Sequence, residues 1–354
     1  MVPLFLIFAE YIIQPKMRLH ILFAVLLVIL AGNVKAQKGQ PNQIKIAFYN
    51  TENIFDTIDD PNKNDEDFLP GAKVAWNTDR YNHKLNNIAR ALSSIDSVNL
   101  PAVIGLAEIE NVGVLNDLVS KTRLKLGNYQ VILEEGSDPR GIDVGLIYRK
   151  DVVKYVSHKA FASATSFKTR CLLYVCLADS KKDTFHIVVN HWKSRSGGAT
   201  ETEPQRIENA ATLKHLTDSL LLRHPMANII MMGDLNDEPD NKSISELLGA
   251  VKPEKKVNPS TLYNLMYERF KNGEGTLYYK DWDLFDQIIV TGNLLNKKPG
   301  KGAVILPPYA YIFKPDWLLY KSRNGDMVPN RTASSKDYFG GFSDHLPVYT
   351  IVQY

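Results

Sequence analysis

The sequence predicts an α/β fold in which stacked β-sheets are flanked by helices. Short apolar runs rich in β-branched and aromatic residues recur along the chain. Only a few segments between them carry helical periodicity, and no internal repeat, long linker or low-complexity tract divides them.

Taken in order, the runs at 44–49, 102–106, 129–133, 144–148, 172–177, 185–189, 228–232, 286–290 and 347–352 are of strand length and bounded by turn residues. Between them, 81–95 places Leu85, Ile88, Ala89 and Leu92 on one helical face. The segments 114–126 and 204–222 fit the same period. One domain from about 44 to 352 accounts for all of them. Two loops stand apart. The stretch 56–67 is rich in Asp and Asn and lacks the EF-hand pattern, so a solvated insertion is expected rather than a calcium loop. The stretch 308–343 is irregular and aromatic, with Tyr309, Tyr311, Phe313, Trp317, Tyr320, Tyr338 and Phe342. These rings either stack nucleobases or cover the core, and the sequence favours neither.

The N-terminus differs from the rest. An apolar run at 21–31 follows Lys16 and Arg18 and precedes Val34-Lys35-Ala36, the layout of a secretory signal peptide. A signal peptide is therefore expected over 1–36, with Met17 as an alternative start and the preceding residues as an upstream extension. The rival is an uncleaved anchor, because 1–13 is also apolar. Secretion, or a periplasmic or cell-surface location, follows in either case. Removal of 1–36 takes away Lys16, Arg18, Lys35 and Glu10, which lowers the formal charge from +3 to +1. A near-neutral chain has no global attraction to polyanions, so any nucleic-acid contact rests on a local patch. The 44% hydrophobic and 23% charged content is ordinary for a globular protein. Cys171 and Cys176 are oddly spaced for one strand face, so they read as core thiols rather than a disulfide.

Polar residues sit repeatedly where apolar runs end. Phe48-Tyr49-Asn50, Leu106-Ala107-Glu108, Val189-Asn190-His191, Gly233-Asp234-Leu235-Asn236, Phe285-Asp286 and Ser343-Asp344-His345 are the instances. Each alone is an ordinary turn or cap residue. Together they supply Glu, Asp, Asn and His at strand ends, a usual location for a site. The types suit phosphodiester hydrolysis. Carboxylates such as Glu108 and Asp344 suit a hard divalent cation, and no thiolate cluster suggests zinc. A His oriented by a carboxylate suits a general base, while Asn50 and Asn236 can hold phosphate oxygens without adding charge. A G-x-S-x-G elbow and a Walker A loop are both missing from the sequence.

The ordered set F-Y-N, A-E-I-E, N-H-W, G-D-L-N-D, F-D-Q-I-I-V and S-D-H-L-P-V resembles the endonuclease/exonuclease/phosphatase superfamily over nearly all of the mature chain. That group includes pancreatic-type DNase I, repair endonucleases, sphingomyelinases and inositol polyphosphate phosphatases. The resemblance implies a four-layered DNase I-like sandwich of two mixed β-sheets flanked by helices, spanning 37–354. It implies Asn50 as a substrate contact, Glu108 and Asp344 as metal ligands, and His191 as general acid or phosphate contact. Asp234 and Asn236 would bind phosphate and place the nucleophile, and His345 would be the base, oriented by Asp286. Arg170 falls where the family often has a phosphate-contacting Arg, and Asp143 is expected to orient His191. Mg²⁺ is the expected cofactor, with Ca²⁺ or Mn²⁺ as alternatives.

Two features depart from the DNase I pattern. Glu110 stands where pancreatic-type enzymes carry a groove-entering Arg; it reads as a solvated turn residue, with a second metal ligand as the alternative. The segment 191–198 adds Lys193, Arg195 and a Gly pair, which suits a phosphate-clamping loop, or a flexible surface loop. The expected function is a secreted metal-dependent endonuclease acting on DNA or RNA through a His-activated water. A sphingomyelinase-like or small phosphate-ester hydrolase of the same fold is the alternative, and a non-catalytic binding protein a third reading. No stable protein partner is implied, and membrane contact is expected only if the N-terminal segment stays uncleaved.

Overall fold

The computed structural model describes residues 43–354, apart from 164, 180–182 and 335. The expected signal peptide lies outside the described residues. In chain order the strands begin with β1 (Gln43–Ile54), β2 (Val103–Ile109), β3 (Tyr129–Leu133), β4 (Asp143–Arg149), β5 (Lys154–Phe161) and β6 (Leu172–Ala178). They continue with β7 (Thr184–His191), β8 (Asn228–Asp234), β9 (Leu262–Asn264), β10 (Leu277–Tyr279), β11 (Asp281–Asp283) and β12 (Asp286–Thr291). The last are β13 (Val304–Ile312), β14 (Leu319–Lys321), β15 (Met327–Pro329) and β16 (Val348–Gln353). The helices are α1 (Thr78–Ile95), α2 (Val112–Lys121), α3 (Ala199–Arg223) and the short α4 (Tyr267–Lys271).

Two six-stranded sheets result, ordered β13-β16-β1-β2-β4-β3 and β5-β6-β7-β8-β12-β9. Each contains a parallel pair, β1 with β2 and β7 with β8, and its other neighbours are antiparallel. The period of two along a strand sends alternate side chains to opposite faces. Ile46 and Phe48 of β1 therefore meet Ile187 and Val189 of β7 and Ile230 and Met232 of β8 in a core between the sheets. Outer faces are covered separately. Tyr81, Leu85, Ile88 and Leu92 of α1, with Leu115 and Leu118 of α2, pack on the first sheet, and Leu213, Leu216 and Leu220 of α3 pack on the second. The layers are helix, sheet, sheet, helix. Among the described residues, no helix is long and apolar enough to cross a membrane.

Gly105 permits the close approach of the sheets, because a Cβ there would lie 2.8 Å from Met232 Cε. Some sequence expectations need correcting. The helix expected over 114–126 stops at Lys121, where the Thr122 hydroxyl bonds Leu118 O and accepts from Leu124 N, opening a 3-10 turn at Arg123–Gly127. The third helix starts before 204 and runs through Pro204. Strand β5 escaped notice because it is an edge strand with its N-terminal half exposed on both faces. The aromatic stretch from 308 is not wholly irregular. It begins inside β13, an edge strand that tolerates Pro307 and Pro308, and includes the β14–β15 hairpin. Most of its rings cover the core, with Phe313, Trp317, Tyr338 and Phe342 packed near α1, while Tyr320 is exposed. The 56–67 loop is also more anchored than expected: Asp65 is buried, and Phe68 just beyond it stacks on Phe55 at 4.2 Å.

Candidate active site

The same two-residue alternation that builds the inter-sheet core also delivers polar side chains to its open end. Asn50 follows Ile46 and Phe48 on the inner face of β1, and His191 follows Ile187 and Val189 on β7. Asp234 follows Ile230 and Met232 on β8, and Asp286 precedes Ile288 and Val290 on the antiparallel β12. Glu108 has the wrong parity on β2. Its backbone takes φ 63°, and the pairing with β4 slips between Ala107 and Ile109, which breaks the simple alternation at the cleft. Left-handed conformations also occur at Glu52, Asn53 and Asn236, and Asn53 bonds Glu108 through its N–H. Non-glycine residues adopt them at a cost, on the order of 1 kcal/mol or more each, and such costs concentrate at functional sites.

The contacts are close. Asn50 Nδ2 donates to Asp234 Oδ2 at 3.0 Å and to Glu108 Oε1 at 3.4 Å, and lies 3.5 Å from His345 Nε2. His191 Nε2 is 3.5 Å from Asp234 Oδ2 and 3.8 Å from Glu108 Oε1. His345 Nδ1 is 2.7 Å from Asp286 Oδ2, and its Nε2 is 3.8 Å from Asp234 Oδ2. Ser343 holds the last motif in place: its hydroxyl donates to Asn50 O and accepts from His345 N. Gly233 precedes Asp234 on β8 and pairs with Asn190 of β7; a Cβ there would meet Asn190 O at 2.3 Å, so only glycine lets β7 and β8 approach at this point.

The two imidazoles are driven apart electrostatically. Burial opposes the charged form of His345, but Asp286 and Asp234 outweigh it and hold the ring well above the ordinary histidine range. Burial lowers His191, reinforced by the Arg170, Arg140 and His345 charges, so it stays neutral. Burial pushes Asp234 up to about 6, despite the opposing His345 charge. His191 Nδ1 and Asp286 Oδ1 are buried without hydrogen-bond partners.

Other expected residues behave differently. Asp143 does not orient His191; its Oδ1 accepts from Gly136 N at 2.8 Å, bracing a turn. Arg170 is buried and bonds Asp138 Oδ2 and Trp192 O, both at 2.6 Å, so it braces the strand end behind His191. Arg195 is likewise engaged, with Asn236 O, Asp237 and Asn241, and it lies over the Phe285 ring. That leaves Lys193 as the cation of the loop whose side chain makes no hydrogen bond or ion pair among the described residues. The Asn236 amide donates to Trp192 O at 3.2 Å, and its backbone N–H to Asp234 Oδ1 at 2.9 Å. Glu110 is not a free turn residue, since Oε2 accepts from Asp56 N at 2.6 Å.

Sequence reasoning overlooked a buried charge network next to the cleft. Glu52 accepts from Arg331 Nε at 3.0 Å and from Thr332 N at 2.6 Å, and Arg331 Nη2 reaches Asp344 Oδ2 at 3.3 Å. Lys84, fully buried on α1, donates to Phe342 O at 2.7 Å and to Thr332 Oγ1. Burial raises Glu52 to about 7 and lowers Lys84 to about 8. A Glu two residues after Asn50 and a Lys on the apolar face of α1 were the available signals; Arg331 offered none.

Among the described residues, no group of three or more His, Cys, Asp or Glu forms a cage for a metal ion. An oxygen donor set of one or two carboxylates fits Mg²⁺, which usually completes its shell with water and substrate phosphate. Glu108 meets that description, with Oε2 accepting from Asn53 N at 3.0 Å and Oε1 facing Asn50. Asp344, the other carboxylate that would hold the ion, accepts from Arg331 Nη2 at 3.3 Å.

The fold has solved counterparts. A D. rerio TDP2 structure, complexed with single-strand DNA product, is 16% identical, covers 88% of this chain and 99% of its own, and has a TM-score of 0.51. The human Nocturnin catalytic domain with bound sulfate is 16% identical, covering 88% and 94%, at a TM-score of 0.51. TDP2 from C. elegans is 11% identical, covering 96% and 85%, at 0.53. At such identities the likeness establishes the fold alone. No curated protein sequence matches the chain. The profile of the Endonuclease/Exonuclease/phosphatase family, however, matches residues 45–354, so the cleft described above is that of a chain that belongs to this family of hydrolases.

Proposed function

We propose that the protein is a divalent-metal-dependent nuclease that hydrolyses DNA or RNA phosphodiester bonds. The observation that carries the reading is the His345–Asp286 pair at 2.7 Å, with the opposite ring nitrogen facing Asn50 and Asp234. Asp286 fixes the tautomer that leaves Nε2 free to take a proton from an attacking water. Asn50 aligns the carboxylate of Asp234 beside that water, and His191, neutral at physiological pH, donates a hydrogen bond to a phosphate oxygen rather than acting as a strong acid. Glu108 and Asp344 would hold the cation, Mg²⁺ by the hardness of their oxygens, which offsets charge on the phosphate. The D. rerio relative with single-strand DNA product supports a nucleic-acid substrate. Secretion after removal of 1–36 completes the proposal.

A lipid-directed variant of the chemistry has one observation in its favour. Tyr279 is 72% exposed at the tip of the β10–β11 hairpin, and Tyr320 and Met327 are exposed on the neighbouring β14–β15 hairpin. The test is hydrolysis by residues 37–354 and the His345→Ala variant, with Mg²⁺ and with chelator. Plasmid DNA, single-stranded RNA, bis-p-nitrophenyl phosphate and sphingomyelin are the substrates. Chelator-sensitive cleavage of nucleic acid that the variant lacks is the expected result. Turnover of sphingomyelin alone would move the assignment to the lipid.

A further inference from the structure

Beside the cleft lies a cavity of about 240 Å³ that none of the chemistry above uses. It is bounded by the loop ending at α1 and the loop after β15, with Phe68, Val74 and Trp76 among its apolar lining. Lys73, Arg140 and Arg331 bring cations to the same space. It adjoins the catalytic groups on two sides. Glu52 and Asn53 line it, and Asn53 N bonds Glu108; Arg331 lines it and bonds Asp344.

Two of the cations there are not gripped closely by any carboxylate. Arg331 is taken up by Glu52 and Asp344, and Glu52 also accepts from Thr332 N, which leaves Lys73 and Arg140 as the cations lining the space. Arg140 is only loosely tied, with Nε and Nη2 each 3.4 Å from Asp138, which Arg170 grips at 2.6 Å. Lys73 makes no hydrogen bond or ion pair among the described residues. Its ammonium and the Arg140 guanidinium are both exposed, so neither stabilises the fold appreciably. A fork-shaped donor and a mobile ammonium at one cavity are suited to phosphate oxygens.

We infer that this cavity is a subsite for a second phosphate of the substrate, next to the scissile one, gripped by Lys73 and Arg140. The inference rests on the phosphodiesterase reading and narrows it. A polynucleotide presents phosphates in series and fills both positions, whereas a choline-type lipid headgroup or a simple diester has a single phosphate and fills one.

Binding tests this separately from catalysis. Titration calorimetry on the purified protein, with Mg²⁺, would compare thymidine 3′,5′-bisphosphate with thymidine 3′- and 5′-monophosphate. The bisphosphate is expected to bind at least about tenfold tighter than the better monophosphate, equivalent to about 1.4 kcal/mol. Lys73→Met and Arg140→Met, both at exposed positions, should each shrink that ratio towards one. Equal affinities for the three ligands, or a preference that survives both substitutions, would overturn the subsite. If the protein cleaved no phosphodiester while the bisphosphate preference and its sensitivity to Lys73 and Arg140 held, the catalytic reading would fail and the binding site would stand.

Discussion

Asp286 Oδ2 lies 2.7 Å from His345 Nδ1, and the opposite ring nitrogen looks across the cleft at Asp234 Oδ2, 3.8 Å away. The ring is thus caught between two buried carboxylates. It gains protons readily, and it can act as a base only after losing one.

The pH profile follows from that. Activity needs the neutral ring, and His345 is held well above its ordinary value, so activity should rise with pH along a limb lying above the usual histidine range near 6.5. The same pairing contributes stability below that range, which fades as pH rises through the raised value. Asp286→Asn removes the foremost group that raises the ring, so the limb should move to lower pH while kcat falls by about 10²–10⁴. A limb that stays in place in a kcat–pH profile would rule His345 out as the titrating base.

Cation dependence should centre on Glu108. Its carboxylate faces Asn50 and is aligned by the Asn53 N–H, at the edge of the strained β2 end. Chelator should abolish hydrolysis, and Glu108→Gln should lower activity while raising the Mg²⁺ concentration needed for half-maximal rate. A variant with an unchanged Mg²⁺ titration would exclude Glu108 as the ligand.

Gly233→Ala should damage fold and chemistry together. The new Cβ would meet the Asn190 carbonyl oxygen, a backbone atom that cannot retreat without parting β7 from β8. Such overpacking costs about 1–3 kcal/mol. Because the strain falls where His191 pairs with Asp234, kcat should drop along with Tm. Calorimetry and single-turnover rates on the same sample test this, and a wild-type rate in a destabilised variant would separate the two.

How much of this the sequence carried depends on the range of the contacts. Asn50, His191, Asp234 and Asp286 end apolar runs whose alternation is local, so both strand and facing can be read from neighbours a few residues away. Glu52 and Arg331 are 279 residues apart in the chain, and nothing near Arg331 marks it as the partner of a buried carboxylate. The partners of Arg170 and Arg195 are hidden in the sequence for a related reason. The arginines' position near phosphate-binding motifs was legible, but the Asp138, Trp192 and Asn241 acceptors that occupy them come from other loops.

The Glu52 network should matter to stability more than its place outside the core suggests. Glu52→Leu leaves Thr332 N without its acceptor and Arg331 with Asp344 alone, while Lys84 loses the nearby carboxylate that favours its charged form. A buried donor stripped of its partner costs about 1–3 kcal/mol, more when the groups are charged. A Tm lower by several degrees is expected, with Glu52→Gln retaining part of the difference because its amide oxygen can still accept from Thr332. Equal Tm values for wild type and Glu52→Leu would show that the network is incidental to the fold.

Arg195 offers the last distinction, between holding the substrate and holding the site. Its Nε and Nη2 bond Asn236 O, Asp237 and Asn241, and its guanidinium lies 4.6 Å over the Phe285 ring, directly before Asp286. Those contacts fix the turn whose Asn236 N–H caps Asp234 Oδ1. Arg195→Met keeps much of the packing but removes the hydrogen bonds, so Asp234 should lose alignment and kcat should fall about tenfold or more with KM little changed. A phosphate-gripping arginine would give the opposite pattern, a raised KM that recovers at low salt. Lys193, whose side chain makes no comparable bonds, should show that second pattern when changed to Met, and steady-state kinetics at two ionic strengths would tell the two residues apart.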